Sequence, residues 1–108
     1  MIAQTPEPPY YAVIFTSLRT EEKEDYDATA EKMQALAAAQ PGFLGIESAR
    51  SVLGITVSYW ASLAAIAAWK VQADHMLAQE RGRERWYSGY AVRVCLVERA
   101  YAFDVTSL

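Results

Sequence analysis

The sequence predicts an α+β domain with the ferredoxin-like order β-α-β-β-α-β. Three observations carry that prediction. Apolar, β-branched and aromatic runs occupy residues 10–18, 43–60 and 90–103. Two stretches of helical period follow the first and third of the strands, and turn-forming residues cluster at Gln40-Pro41-Gly42 and Ser51–Gly54. At 108 residues the chain suffices for one core.

The first strand, YYAVIFTSL, alternates Tyr11, Val13 and Phe15 with Ala12, Ile14 and Leu18, so both of its faces are apolar. Thr20 is placed to cap a helix whose first turn carries Glu21, Glu22, Glu24 and Asp25, charges that suit the positive end of a helix dipole. Tyr26, Ala30, Met33, Leu36 and Ala37 give that helix an apolar stripe, and Pro41-Gly42 ends it. FLGIESAR and GITVSYW then form a hairpin. Ser62 caps a short helix with Leu63, Ile66, Ala67 and Lys70 on one face, and a second helical segment spans about 74–85. The last strand, YAVRVCLVERAYAF, sets Val92, Val94 and Leu96 opposite Arg93, Cys95 and Val97.

Residues 1–9, with three prolines, are expected to be a flexible tail ahead of a domain at 10–104. Helices cover one sheet face and leave an apolar face over, which a second copy of the chain would bury; a homodimer is therefore expected. A hydrophobic content of 53% agrees with a second buried surface.

A net charge of −3 makes no electrostatic case for nucleic acid. The single cysteine, Cys95, lacks a partner for an intramolecular disulfide and a neighbouring base, and reads as an inert thiol. No stretch has the length of a membrane span, and MIAQTPEPPYY lacks the basic start and apolar core of a signal peptide, so a cytoplasmic, membrane-free protein is expected. Phosphate loops, dinucleotide fingerprints, nucleophile elbows and metal-ligand spacings are absent from the sequence.

The candidate site residues cluster late in the chain. His75 and Gln79 are four apart on one helical face; His75 can serve as a proton shuttle at a pocket mouth or as a structural cap. Trp60 and Trp69 can wall a pocket for a flat ligand or simply pack. Arg81, Arg83 and Arg85, interleaved with Glu80 and Glu84, read as solvated charges. Arg93, within an apolar strand, calls for Glu47 or Glu98 as partner, or holds a substrate oxygen. Tyr87 and Tyr90 can donate phenolic hydrogen bonds to a ligand or close the strand end.

PGFLG opening the second strand, SYW-x-S closing the third, then AAWK, His75 and GRERWYSGYAVRV resemble the antibiotic biosynthesis monooxygenase family over residues 10–103. The resemblance implies a dimeric α+β barrel, two ferredoxin-like halves packed sheet to sheet. Its members include cofactor-free oxygenases of phenols and quinols and haem-degrading monooxygenases. Against the haem-degrading branch, Trp69 matches the helix tryptophan, Gln79 stands at the iron-binding position, and the first strand has no asparagine. Glutamine is a poor iron ligand beside imidazole.

The function this implies is a small monooxygenase acting on an aromatic or polycyclic phenol- or quinol-type substrate without flavin or metal. His75 would be the base, while Trp60, Trp69 and Tyr59 would hold the ring beside Gln79, Arg93 and Tyr87. The alternatives are a non-catalytic ligand-binding or stress-associated dimer, and a haem-binding or haem-degrading monooxygenase.

Overall fold

The computed structural model describes residues 2–103, apart from the side chains of Glu80 and Arg83. Four strands and three helices run in the order β1 (Tyr10–Arg19), α1 (Tyr26–Ala38), β2 (Phe43–Arg50), β3 (Gly54–Trp60), α2 (Leu63–Glu80), α3 (Gly82–Trp86) and β4 (Tyr87–Val97). The strands form one sheet in the order β2-β3-β1-β4, with every described pairing antiparallel. This is the expected ferredoxin-like α+β arrangement, with one short helix added before β4.

Register decides which side chains share a face, because directly paired residues of antiparallel strands project to the same side. Tyr11 pairs with both Trp60 and Leu96, Val13 with Ser58 and Val94, and Phe15 with Thr56 and Val92. Trp60 stacks on Trp69 of α2, so this set faces the helices. The other face carries Tyr10, Ala12, Ile14 and Thr16 of β1, Ile55, Val57 and Tyr59 of β3, and Arg93, Cys95 and Val97 of β4.

Four local expectations are corrected. The acidic run 21–25 is a turn, not a first helical turn: α1 starts at Tyr26, preceded by Asp25 in the left-handed region at φ 63°. Thr20 does not cap it; its hydroxyl donates to the Arg85 carbonyl and accepts the Glu22 N–H, tying β1 to α3. The two expected segments after β3 are one continuous α2, capped by Ser62, whose Oγ accepts the Ala65 N–H at 3.1 Å. Arg81 breaks the helix from α3 at φ 54°. The buried side of α2 also differs from the expected one. Ile66, Trp69, Ala73, Met76 and Leu77 are half-buried, whereas Leu63, Ala67 and Lys70 are exposed.

β4 stops pairing at Val97, and residues 98–103 carry no ladder; the expected strand to Phe103 is shorter. At the other terminus, residues 2–9 form neither helix nor strand but are anchored on the open sheet face. The Ala3 N–H donates to Glu47 at 2.9 Å, and the Thr5 and Tyr10 hydroxyls lie 2.8 Å apart. Tyr10 and Ala12 are buried on that face. The expected domain limit at 104 lies outside the described residues, and no described helix is long and apolar enough to cross a membrane.

Candidate functional site

Two aromatic clusters bracket the helix side of the sheet. At the end where β3 meets α2, Trp60 is fully buried. Its ring meets Phe43 edge-on at 5.5 Å and Trp69 nearly parallel at 6.0 Å, and its Nε1 donates to Ser58 Oγ at 2.9 Å. That hydrogen bond satisfies the one polar atom of an indole with no access to water. Gly42 permits this packing: at φ 85° it turns the chain into β2, and a Cβ there would stand 2.7 Å from Ala65 Cβ.

At the opposite end Phe15, Tyr26, Tyr87, Tyr90 and Trp86 form a contiguous set with ring separations of 5.3–6.2 Å. Trp86 is buried, and its Nε1 donates at 3.0 Å to the Glu24 carbonyl, which also accepts from Arg85 at 3.1 Å. The acidic turn is thus held by α3 rather than by its own helix. The Tyr87 phenol is pushed well above the usual range by burial, and further by Tyr26, which also hydrogen-bonds it. Arg19 and Arg50 pull it partly back. Tyr87 is therefore a neutral hydroxyl near neutral pH, able to donate but not to act as a base.

Between the clusters the helix side of the sheet carries an apolar strip, Tyr11 and Val13 of β1 with Val92, Val94 and Leu96 of β4, and Trp69 of α2 is stacked nearby on Trp60, the register partner of Tyr11. The helices sit over the β2–β3 side and leave the middle of β4 uncovered, so Val92, Val94 and Leu96 are 52%, 49% and 48% exposed although they face the helix layer. From Tyr11 to Phe15, opposite Leu96 to Val92, the strip runs roughly 13 Å at about 3.3 Å per residue.

The predicted site residues fall in three places. Trp60, Trp69 and Tyr87 share the helix side of the sheet. Tyr59 and Arg93 are on the opposite face, because strand alternation sends them there. Tyr59 donates to Glu47 at 2.5 Å and closes edge-on to Tyr10 at 5.9 Å; burial first, then the Glu47 bond and charge, hold its phenol far above the usual range. Arg93 is exposed, and among the described residues it has no carboxylate partner. Its expected partner Glu47 is taken by Tyr59 and Ala3 instead. His75 and Gln79 are exposed on α2, and His75 lies about half a turn around the helix from the inward-facing Ile66. The structure does not bring His75 to the apolar strip.

Of the arginines expected to be solvated, Arg81 is exposed and pairs with Glu84 at 3.3 Å, while Arg85 is half-buried against Trp86; the side chain of Arg83 lies outside the described residues. Cys95 is a half-buried free thiol on the open face. Sequence reasoning missed Phe15 and Tyr26 as partners of Tyr87, although their spacing on strand and helix was legible. It also missed that Val92, Val94 and Leu96 stand exposed on the helix side, since alternation alone does not say which face the helices take. Among the described residues no group of three His, Cys, Asp or Glu side chains converges as a metal site.

An antiparallel four-stranded sheet with helices on one face defines a ferredoxin-like α+β fold. Solved structures agree on that fold. SO0527 from Shewanella oneidensis has a TM-score of 0.71 at 10% identity, covering 92% of this chain and 100% of that one. SnoaB, a cofactor-independent oxygenase from Streptomyces nogalater, has a TM-score of 0.65 at 12% identity, covering 90% and 99%. An uncharacterized protein of Bacillus subtilis (strain 168), YqjZ, is 54% identical over 105 residues, 95% of this chain and 92% of that protein. The family model for antibiotic biosynthesis monooxygenase matches residues 9–81. The chain belongs to the antibiotic biosynthesis monooxygenase family.

Proposed function

We propose that this protein is a small monooxygenase that takes a flat phenol- or quinol-type substrate into the groove between β4 and α2, without flavin or metal, and that it works as a homodimer. The observation that carries the reading is the bare row Val92, Val94 and Leu96 beside Trp69: large apolar side chains facing a helix layer that does not cover them. Burying such a row under an aromatic ligand recovers roughly 25 cal/mol for each Å² removed from water. The similarity in fold to a cofactor-independent oxygenase supports the chemistry. In the proposed reaction an activated ring CH2, the keto form of the phenol, and O2 give a ring carbonyl and water, the substrate supplying the four electrons. Tyr87, kept neutral, would hydrogen-bond a phenolic or developing anionic oxygen. The second copy would cover the open sheet face, where Ile55 is exposed, and a cytoplasmic location belongs to the same reading.

A second reading, a ligand-binding dimer without catalysis, is favoured by the position of His75: the one histidine of the chain points away from the groove. Oxygen uptake separates the two. The purified protein is presented with a panel of anthrones, naphthols and quinols, with binding followed by tryptophan fluorescence. Turnover that falls at least tenfold in Trp69→Ala supports the monooxygenase. Saturable quenching with no oxygen uptake supports the binder, and neither signal removes both. His75→Ala is expected to leave binding unchanged; loss of turnover at intact binding would restore His75 as the base.

A further inference from the structure

We propose that Arg19, Lys23 and Arg50 form a binding site for a small oxyanion, separate from the groove, where the β1–α1 connection meets the β2–β3 hairpin. These side chains, with Thr20, Asp27 and Ser51, line a cavity of about 230 Å³. Three cations therefore face one carboxylate in a chain whose formal net charge is −3. Among the described residues none of the three cations has a carboxylate within ion-pair distance, and the protein's described ion pairs lie elsewhere, at Lys70–Asp74, Arg81–Glu84 and Arg85–Asp25.

The two arginines are held rather than free. Arg19 lies 3.3 Å over the Tyr26 ring and donates to the Glu22 carbonyl at 3.0 Å, yet its buried Nε has no hydrogen-bond partner. A buried donor without a partner is costly, so the stack on Tyr26 and the bond to Glu22 hold this guanidinium in place at a cost. Arg50 lies flat across Gly54 and donates to the buried Ser17 hydroxyl. Any Cβ at Gly54 would collide with the guanidinium, so the glycine is the floor on which Arg50 rests. Both arginines also act on the Tyr87 phenol, which places their charges at one end of the sheet. Preset, planar guanidinium groups suit phosphate and carboxylate oxygens, to which they donate in pairs.

The volume sets the ligand's size. It is below the roughly 300–1,000 Å³ of sites for drug-sized molecules, so the occupant is a phosphate or carboxylate group, alone or as the head of a larger metabolite that extends into solvent. Nothing in this argument requires the groove or its chemistry.

The test is thermal stabilisation of the intact chain by inorganic phosphate and by malonate, each against sodium chloride at matched ionic strength. A saturable rise in melting temperature with either anion is expected, and the stronger of the two identifies the preferred group. Arg50→Gln should weaken the apparent affinity roughly tenfold or more, and Gly54→Ala should do the same by displacing Arg50. Lys23→Gln, on the exposed turn, serves as the variant least able to disturb folding and should weaken binding as well. No saturable shift beyond the chloride control overturns the proposal. So does a shift that survives in both Arg50→Gln and Lys23→Gln, because the anion then binds elsewhere. Groove binding measured by tryptophan fluorescence should be unchanged in Lys23→Gln.

Discussion

Gly42→Ala tests the packing on which the groove depends. Gly42 sits at φ 85°, in a region that costs an L-residue about 1–2 kcal/mol. The added Cβ would also stand 2.7 Å from Ala65 Cβ in the first turn of α2. The retreat of that turn adds about 1–3 kcal/mol, as for other overpacked sites. Stiffening the unfolded chain returns about 0.4–1 kcal/mol. The net loss is about 1–4.5 kcal/mol, which for a domain of this size corresponds to roughly 4–20 °C in Tm. The retreat has a functional readout too. The Ala61 N–H donates to the Gly42 carbonyl at 2.8 Å, and Ser62 caps the helix that carries Trp69 onto Trp60. Gly42→Ala should therefore lower Tm by circular dichroism and loosen the Trp60–Trp69 stack in the near-ultraviolet. Combined with Ala65→Gly, it should show a favourable coupling of about 1–2 kcal/mol, because that change removes the contact and leaves the φ strain. A Tm equal to the parent's, or no coupling in the double variant, would refute the reasoning.

Two further predictions follow from the raised phenols and the C-terminal segment. The Tyr59 and Tyr87 phenols are raised in the folded state, so the unfolded chain loses its phenolic protons first as pH climbs. Their contribution to stability is complete below about pH 10, the unfolded value, and is lost as pH rises above it. Urea midpoints measured across that range should fall, and Glu47→Gln should make the fall smaller by removing one source of the Tyr59 shift; a flat profile would contradict the assignment. Tyr101 and Phe103, 95% and 93% exposed in the single chain, are expected to bury themselves against the second copy. Replacing both with serine should weaken self-association at least tenfold by sedimentation equilibrium, since each large apolar side chain is worth about 1.5–3 kcal/mol when buried. A monomeric parent, or an unchanged dimer in the variant, would exclude that role.

The fold was legible where a single local signal dominates. Strand alternation at Tyr11, Val13 and Phe15 has one reading, and Pro41-Gly42 and Ser51–Gly54 mark turns whose chemistry needs no tertiary context. Helix limits were harder because they depend on partners distant in sequence. Thr20 looks like a cap, but the Arg85 carbonyl, 65 residues away, takes its hydroxyl. The gap expected in α2 at residues 71–73 carries no breaker, and the real break at Arg81 requires a left-handed residue that the sequence marks only by the glycine following it.

The candidate site was legible as residue types but not as a place. Trp60, Tyr59, Tyr87 and Arg93 belong to strands, and alternation divides such residues between two faces without saying which face the helices will cover. That choice falls to Trp60. It is the largest side chain of β3, and its register partners Tyr11 and Leu96 must follow it. Once Trp69 lies on Trp60, the helix side is fixed. Tyr59 and Arg93 are then excluded from the groove, and the row Val92, Val94 and Leu96 is placed within it. His75 is decided by the same contact. It lies six residues beyond Trp69, and six residues of α-helix turn through about 600°, or 240° net. A helix that points Trp69 at the sheet therefore points His75 away from it. The separation of base from ring pocket is in this sense already contained in the spacing between Trp69 and His75, and it becomes visible only when Trp60 supplies the direction of inward.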